Sequence, residues 1–157
     1  MKICIAGHKP KNIHEYDNFD PKWITLKEQF KKLLIENNCD EAIFGAYLGV
    51  DTVFALAVLE LKEEGYNIKL HCVVPYKNYS CGWDEENIEL YDSILSKADI
   101  VKIIHNKDYT PWLIQVVTMY MVDLADKVIA AWDGSERGTA SSVYVNQYSR
   151  EIIRIIP

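Results

Sequence analysis

Six short apolar runs, each closed by turn residues and separated by a helix-length stretch, constrain this chain more than any other feature. They are "KICIA" (2–6), "EAIF" (41–44), "IKLHCVV" (68–74), "DIVKII" (99–104), "KVIAAW" (127–132) and "EIIRII" (151–156). Each is β-rich and too short to be a helix on its own. Between them lie helical patterns with recognisable ends. Asp20-Pro21 is a cap followed by a proline at the first helical position, and Trp23, Leu26, Phe30, Leu33 and Leu34 then recur at helical spacing. A second helix starts near Gly49, runs through Val53, Leu56, Ala57 and Leu61, and stops at Gly65. Asp84 precedes a third, Thr110-Pro111 opens a fourth, and a fifth runs from near Gly138 to about Tyr148.

Strict alternation with near-continuous apolar strands predicts an α/β fold with a parallel sheet covered on both sides. Right-handed crossovers make it a Rossmann-like three-layer sandwich. The expected sheet is mostly parallel, of five to six strands, with helices on both faces. With 157 residues and no internal repeat or linker, the chain reads as a single domain over 1–157.

Composition narrows the function classes. Hydrophobic residues make up 49% and charged residues 25%, as in an ordinary globular protein. No apolar run reaches the roughly 18 residues that span a bilayer. The opening "MKICIAGHKP" lacks the long apolar stretch and cleavage site of a signal peptide, so a cytoplasmic protein with no membrane partner is expected. Cys4, Cys39, Cys72 and Cys81 form no C-x-x-C pair and no zinc spacing, which predicts reduced thiols, no metal and no cofactor. The formal net charge of −6 weighs against a basic nucleic-acid face, so no long nucleic acid is expected. It leaves room for a small phosphorylated ligand, which needs only a few oriented N–H groups.

In open α/β sheets the ligand crevice lies beyond the carboxyl ends of the strands. The residues that follow the strands are therefore the candidate site. Gly7, His8 and Lys9 follow the first, and Gly45, Ala46, Tyr47, Gly49 and Asp51 follow the second. Pro75 and Tyr76, with Trp83 further on, follow the third. Asp133, Gly134, Gly138 and Thr139 follow the fifth. Gly49 at a helix N-terminus either turns the chain tightly or lets a phosphate approach free N–H groups. Gly138-Thr139 is either a polar turn or a second phosphate or ribose contact. Asp51 binds a ribose hydroxyl, acts as a base or simply favours the helix dipole. Tyr47, Tyr76 and Trp83 either pack or stack on a base. No catalytic triad, paired carboxylates or metal cluster stands out.

Together these motifs resemble the SLOG superfamily, which joins the DNA-processing protein DprA to the LOG nucleotide hydrolases, and within it the bacterial and phage YpsA-like branch. Gly7-His8-Lys9-Pro10 matches its G-H-R-P loop, and Phe44-Gly45-Ala46-Tyr47-Leu48-Gly49-Val50-Asp51 matches its S-G-G-A-L-G-V-D. Pro75-Tyr76, Trp83, Met121-Val122-Asp123, Ala125-Asp126 and the Asp133-Gly134 to Gly138-Thr139 loop follow in the same order. The resemblance implies a domain that binds nucleotides or NAD-derived nucleotides, as a sensor or as a phage-type protein that sequesters an immune signal. It also implies a homo-oligomer. The LOG glutamate position falls on Ser142, which suits binding without cleavage. A nucleotide hydrolase using Asp51, His8 or Asp133 is one alternative, and a regulatory protein with a vestigial pocket is another.

Overall fold

All six expected strands are present in the computed structural model, which describes residues 1–7, 21–45, 49–105, 113–131 and 151–155. They are β1 (Lys2–Gly7), β2 (Glu41–Phe44), β3 (Lys69–Tyr76), β4 (Ile100–His105), β5 (Lys127–Ala131) and β6 (Glu151–Ile155). The helices are α1 (Pro21–Glu36), α2 (Val50–Glu63), α3 (Glu85–Lys97) and α4 (Leu113–Leu124). The expected fifth helix, and the Thr110-Pro111 start of the fourth, lie outside the described residues. The strands form one sheet in the order β4-β3-β2-β1-β5-β6. Every neighbouring pair is parallel. Right-handed connections with this order put α1, α2 and α3 on one face and α4 on the other. In agreement, α1 packs on α2 and α2 on α3, while α4 packs on β1, β3 and β4. The fold is the expected Rossmann-like α/β sandwich.

Several helix ends obey local rules. Pro21 opens α1. The Asp84 carboxylate caps α3 by accepting from the Asn87 N–H at 3.2 Å. Gly65, at φ 97°, ends α2: its N–H donates to Lys62 O, and the Tyr66 N–H reaches back to Leu61 O. That is a Schellman stop. One boundary differs from expectation, since β3 continues through Pro75 to Tyr76. Val74 and Tyr76 both pair with β4, at Ile103 and His105, and the intervening proline has no N–H to give.

The central strands are buried from both sides. Ile3, Cys4, Ile5, Ala42, Ile43, Leu70, Val73, Val128 and Ile129 are all at most 2% exposed. Phe30 of α1 and Phe54 of α2 meet edge to face at 5.4 Å above them. The edge strand β4 leaves Ile100, Val101 and Ile103 exposed. Asp99 ties its start to α2 by pairing with Lys62 and accepting from the Leu70 N–H at 2.8 Å.

At the amino ends of the strands, His71 of β3 is 6% exposed, and neither ring nitrogen has a hydrogen-bond partner. Its Nδ1 lies 3.9 Å from Glu41 Oε2, too far for a hydrogen bond, and Lys2 Nζ lies 3.6 Å from the same oxygen. Burial lowers the imidazole's pKa, outweighing the pull of Glu41. A histidine held neutral in the fold costs stability as pH falls below its unfolded value of about 6.5. His71→Leu is therefore expected to stabilise the chain, by on the order of 1 kcal/mol, with a larger gain at pH 5 than at pH 8. Urea unfolding at both pH values tests this, and an equal change at each would contradict it.

Candidate functional site

The chain steps from β1 through β2 and β3 to β4 in one direction, then returns to the far side of β1 for β5 and β6. Strand order therefore reverses between β1 and β5. Diverging connections at such a point open a crevice at the carboxyl ends of the strands. Gly7, the last residue of β1, pairs with Ala131, the last of β5, beneath that opening. Gly45 follows β2, the neighbour of β1 on its other side. Pro75 and Tyr76 end β3, one strand further out.

The loop from β2 into α2 carries the clearest local chemistry. Gly49 is the residue before the helix, with φ 92° and ψ −118°. Side chains other than glycine rarely adopt that backbone. A Cβ built on it would meet nothing within 4 Å, so the backbone and not crowding calls for glycine. Gly49 itself offers no side chain to cap the helix. The first N–H groups of an α-helix have no partner within it and carry the positive end of its dipole.

Asp51, in the first turn, is 3% exposed. Its Oδ2 accepts from the Gly45 N–H at 3.0 Å, joining the end of β2 to the first turn of α2. Burial pushes its carboxyl pKa up to about 7, against the opposing pull of that N–H. Cys4 and Cys72 are buried thiols, pushed up first by burial and then by Asp51. Among the described residues, the carboxyl is thus buried beside two neutral thiols.

Tyr76 and Trp83 are brought together through Tyr79, a residue not singled out from the sequence. Ring centroids lie 5.4 Å apart for Tyr76–Tyr79, 5.1 Å for Tyr79–Trp83 and 5.3 Å for Trp83–Tyr91, all near perpendicular. Tyr91 is buried and the other three are half-buried. The available signal was three aromatics at 76, 79 and 83 within one loop. Phe44 is 2% exposed and belongs to the core. His8, Lys9, Ala46, Tyr47, Asp133, Gly134, Gly138 and Thr139 lie outside the described residues. Among the described residues, no three His, Cys, Asp or Glu side chains are grouped to hold a metal. No helix of those residues is long and apolar enough to cross a membrane.

Two stability outcomes follow from this loop. Asp51→Ala leaves the buried Gly45 N–H without its acceptor and is expected to cost about 1–3 kcal/mol, whereas Asp51→Asn keeps an acceptor and costs less. A carboxyl whose pKa is raised by folding loses stability as pH climbs from its unfolded value towards the folded one. Asp51→Asn should therefore gain on the native chain between about pH 4 and pH 7. Thermal melts across that range decide it, and a constant difference would contradict the buried, partly protonated carboxyl.

Comparison with known proteins places this geometry. The chain is 27% identical to a UPF0398 protein of Bacillus pumilus over 141 residues, covering 87% of this chain and 76% of that one. It is 28% identical to a UPF0398 protein of Bacillus thuringiensis, with 87% and 77% covered. Among solved structures, DNA processing protein A (DprA) from Streptococcus pneumoniae superposes with a TM-score of 0.66 at 16% identity. That match covers 99% of this chain and 50% of DprA. DprA from Helicobacter pylori, described in its single-stranded DNA binding mode, gives 0.65 at 16% identity and covers 98% of this chain and 64% of its own. This chain thus spans half to two thirds of either DprA. The expectation that no long nucleic acid is bound is corrected here: the same fold carries a single-stranded DNA binding mode in the H. pylori protein. Net charge summed over a chain does not fix the local field of a crevice, which a few residues set. The family model YpsA, the YspA SLOG family, matches residues 3–152, and the chain belongs to that family.

Proposed function

We propose that this chain binds a small nucleotide or NAD-derived nucleotide in the crevice at the carboxyl ends of its parallel strands, as a sensor or a sequestering protein. The observation that carries the reading is the strand-order reversal at β1 and β5, flanked by the amino end of α2. Membership of the SLOG family supports it. In this reading Gly45, Ala46, Gly49 and Asp51 form one phosphate loop, and Asp133, Gly134, Gly138 and Thr139 form a second. Gly7, His8 and Lys9, which follow β1, belong to the same site, with Lys9 adding charge. Tyr47, Tyr76 or Trp83 stacks on the base, and Pro75 shapes the approach.

A second reading is that the nucleotide unit belongs to a single-stranded nucleic acid, favoured by the binding mode described for H. pylori DprA. Half-buried Tyr76, Tyr79 and Trp83 suit either ligand, since every base offers a π-face. Assembly into a homo-oligomer is part of the proposal. The bare edge of β4, with Ile100, Val101 and Ile103 exposed, supports it.

Fluorescence titration with AMP, NAD⁺, ADP-ribose and an oligothymidylate separates the two ligand classes. A saturable change with a mononucleotide is expected. Tighter binding of the oligomer that weakens steeply with salt would favour the second reading. Gly49→Val, if it remains folded, should weaken mononucleotide binding at least tenfold; unchanged affinity would remove the phosphate loop from the site.

A further inference from the structure

Three adjacent strands each bring one ionisable residue to the same point at the amino end of the sheet. Lys2 of β1 is in register with Glu41 of β2, and His71 of β3 with Ile43, two residues further along β2. Residues two apart in a strand point to one side of the sheet, so Lys2, Glu41 and His71 share a face. Both bases approach one atom. Glu41 Oε2 lies 3.6 Å from Lys2 Nζ and 3.9 Å from His71 Nδ1, and neither contact is a hydrogen bond.

The three side chains differ in their freedom to leave. Those of Glu41 and His71 are 13% and 8% exposed, whereas that of Lys2 is 48% exposed. The Lys2 backbone is held at both ends: its N–H donates to Asp126 Oδ2 at 2.8 Å, and its carbonyl accepts from the Asp126 N–H at 2.7 Å. Only its side chain is free to swing, and a lysine stem carries its ammonium into water at little cost. The imidazole has no such exit. Both ring nitrogens are shut off from solvent without a hydrogen-bond partner, so their desolvation is uncompensated.

Burial holds the ring neutral; of the charges acting on it, Glu41 favours the imidazolium and Lys2 opposes it. In register with His71 stand Ile43 of β2 and Ile100 of β4, neither of them ionisable. On the same face, Cys4 of β1 is a thiol kept neutral by burial, and Lys69 of β3 is exposed. Among the described residues, no helix adds a charge to this group.

We propose that Lys2, Glu41 and His71 form a proton-driven switch at the amino end of the sheet: when His71 takes up a proton, Glu41 passes from Lys2 to the imidazolium, and the Lys2 ammonium moves out to solvent. The proton comes from water and binds a ring nitrogen; the other changes are in ion pairs and hydrogen bonds. A link between β1 and β2 is thereby exchanged for one between β2 and β3. Protonation gives His71 a charge-assisted hydrogen bond, and departure of Lys2 removes the charge that opposes protonation, so the two steps reinforce each other. The exchange belongs to the acid side of the unfolded histidine value of about 6.5. It also ends the loss of stability in acid, because a fold that has bound the proton no longer lags the unfolded chain. The proposal does not rest on the nucleotide reading, whose crevice lies at the opposite end of the strands.

The test is an NMR titration of the full chain from about pH 8 to about pH 5, following the ring nitrogens of His71. In the native protein His71 should titrate within the folded state. The Glu41 carboxyl carbon and the Lys2 ammonium should respond at the same midpoint. Glu41→Gln should lower that midpoint by about one pH unit, and Lys2→Met should raise it. A His71 that stays neutral until the whole chain unfolds overturns the proposal, as does one that titrates with no response at Glu41 and Lys2. A midpoint unmoved in folded Glu41→Gln, or unmoved or lowered in Lys2→Met, overturns it as well. The native titration decides the matter even if the Glu41 variant does not fold, and Lys2→Met alters only a half-exposed side chain.

Discussion

The pairing of β1 on both of its edges governs the rest of the molecule. Lys2, Ile3 and Cys4 are in register with β2, and Ile3 through Gly7 with β5. Because β2 and β5 are far apart in sequence, the chain must leave β1 in one direction and come back on the other side. The reversal splits the helices between the two faces. Chain order in a parallel sheet thus sets the point at which such folds open a ligand crevice, before any side chain is chosen to line it. Burial from both faces makes these central strands near-continuously apolar, Ile3, Cys4, Ile5 and Ala6 included.

The two ends of the sheet handle polar groups differently. At the amino ends, Lys2 and Glu41 pair at 3.6 Å and His71 sits beneath them with no hydrogen bond. At the carboxyl ends, Asp51 is equally buried but spends its charge on a backbone N–H. Stability at this end of the sheet depends on whether Asp51 carries its proton.

Much of this fold was legible in the sequence, because its strands are apolar for a reason that acts locally. The strand runs fell within two residues of those observed, and Pro21, Gly65 and Asp84 marked helix ends by rules needing only neighbouring residues. Pro75 was read as the start of a loop, since a proline seldom sits in a strand; β3 carries it where its missing N–H is skipped by the pairing with β4. The apolar run at β4 read like the others, yet Ile100, Val101 and Ile103 are exposed, because position at the sheet edge is a property of topology. At the site, the glycine at position 49 announced its unusual backbone. The burial of Asp51 did not announce itself, since an acidic residue in a first helical turn is ordinarily a solvated one. Tyr79 escaped notice because its role comes from the turn that folds it between Tyr76 and Trp83.

The most direct check of the central claim is mass spectrometry of the small molecules released when freshly purified protein is denatured. The account predicts a phosphorylated nucleoside or dinucleotide at close to one per chain, identified by base and phosphate number in the same spectrum. Protein that releases none, and that takes up no nucleotide when supplied with one, would contradict it.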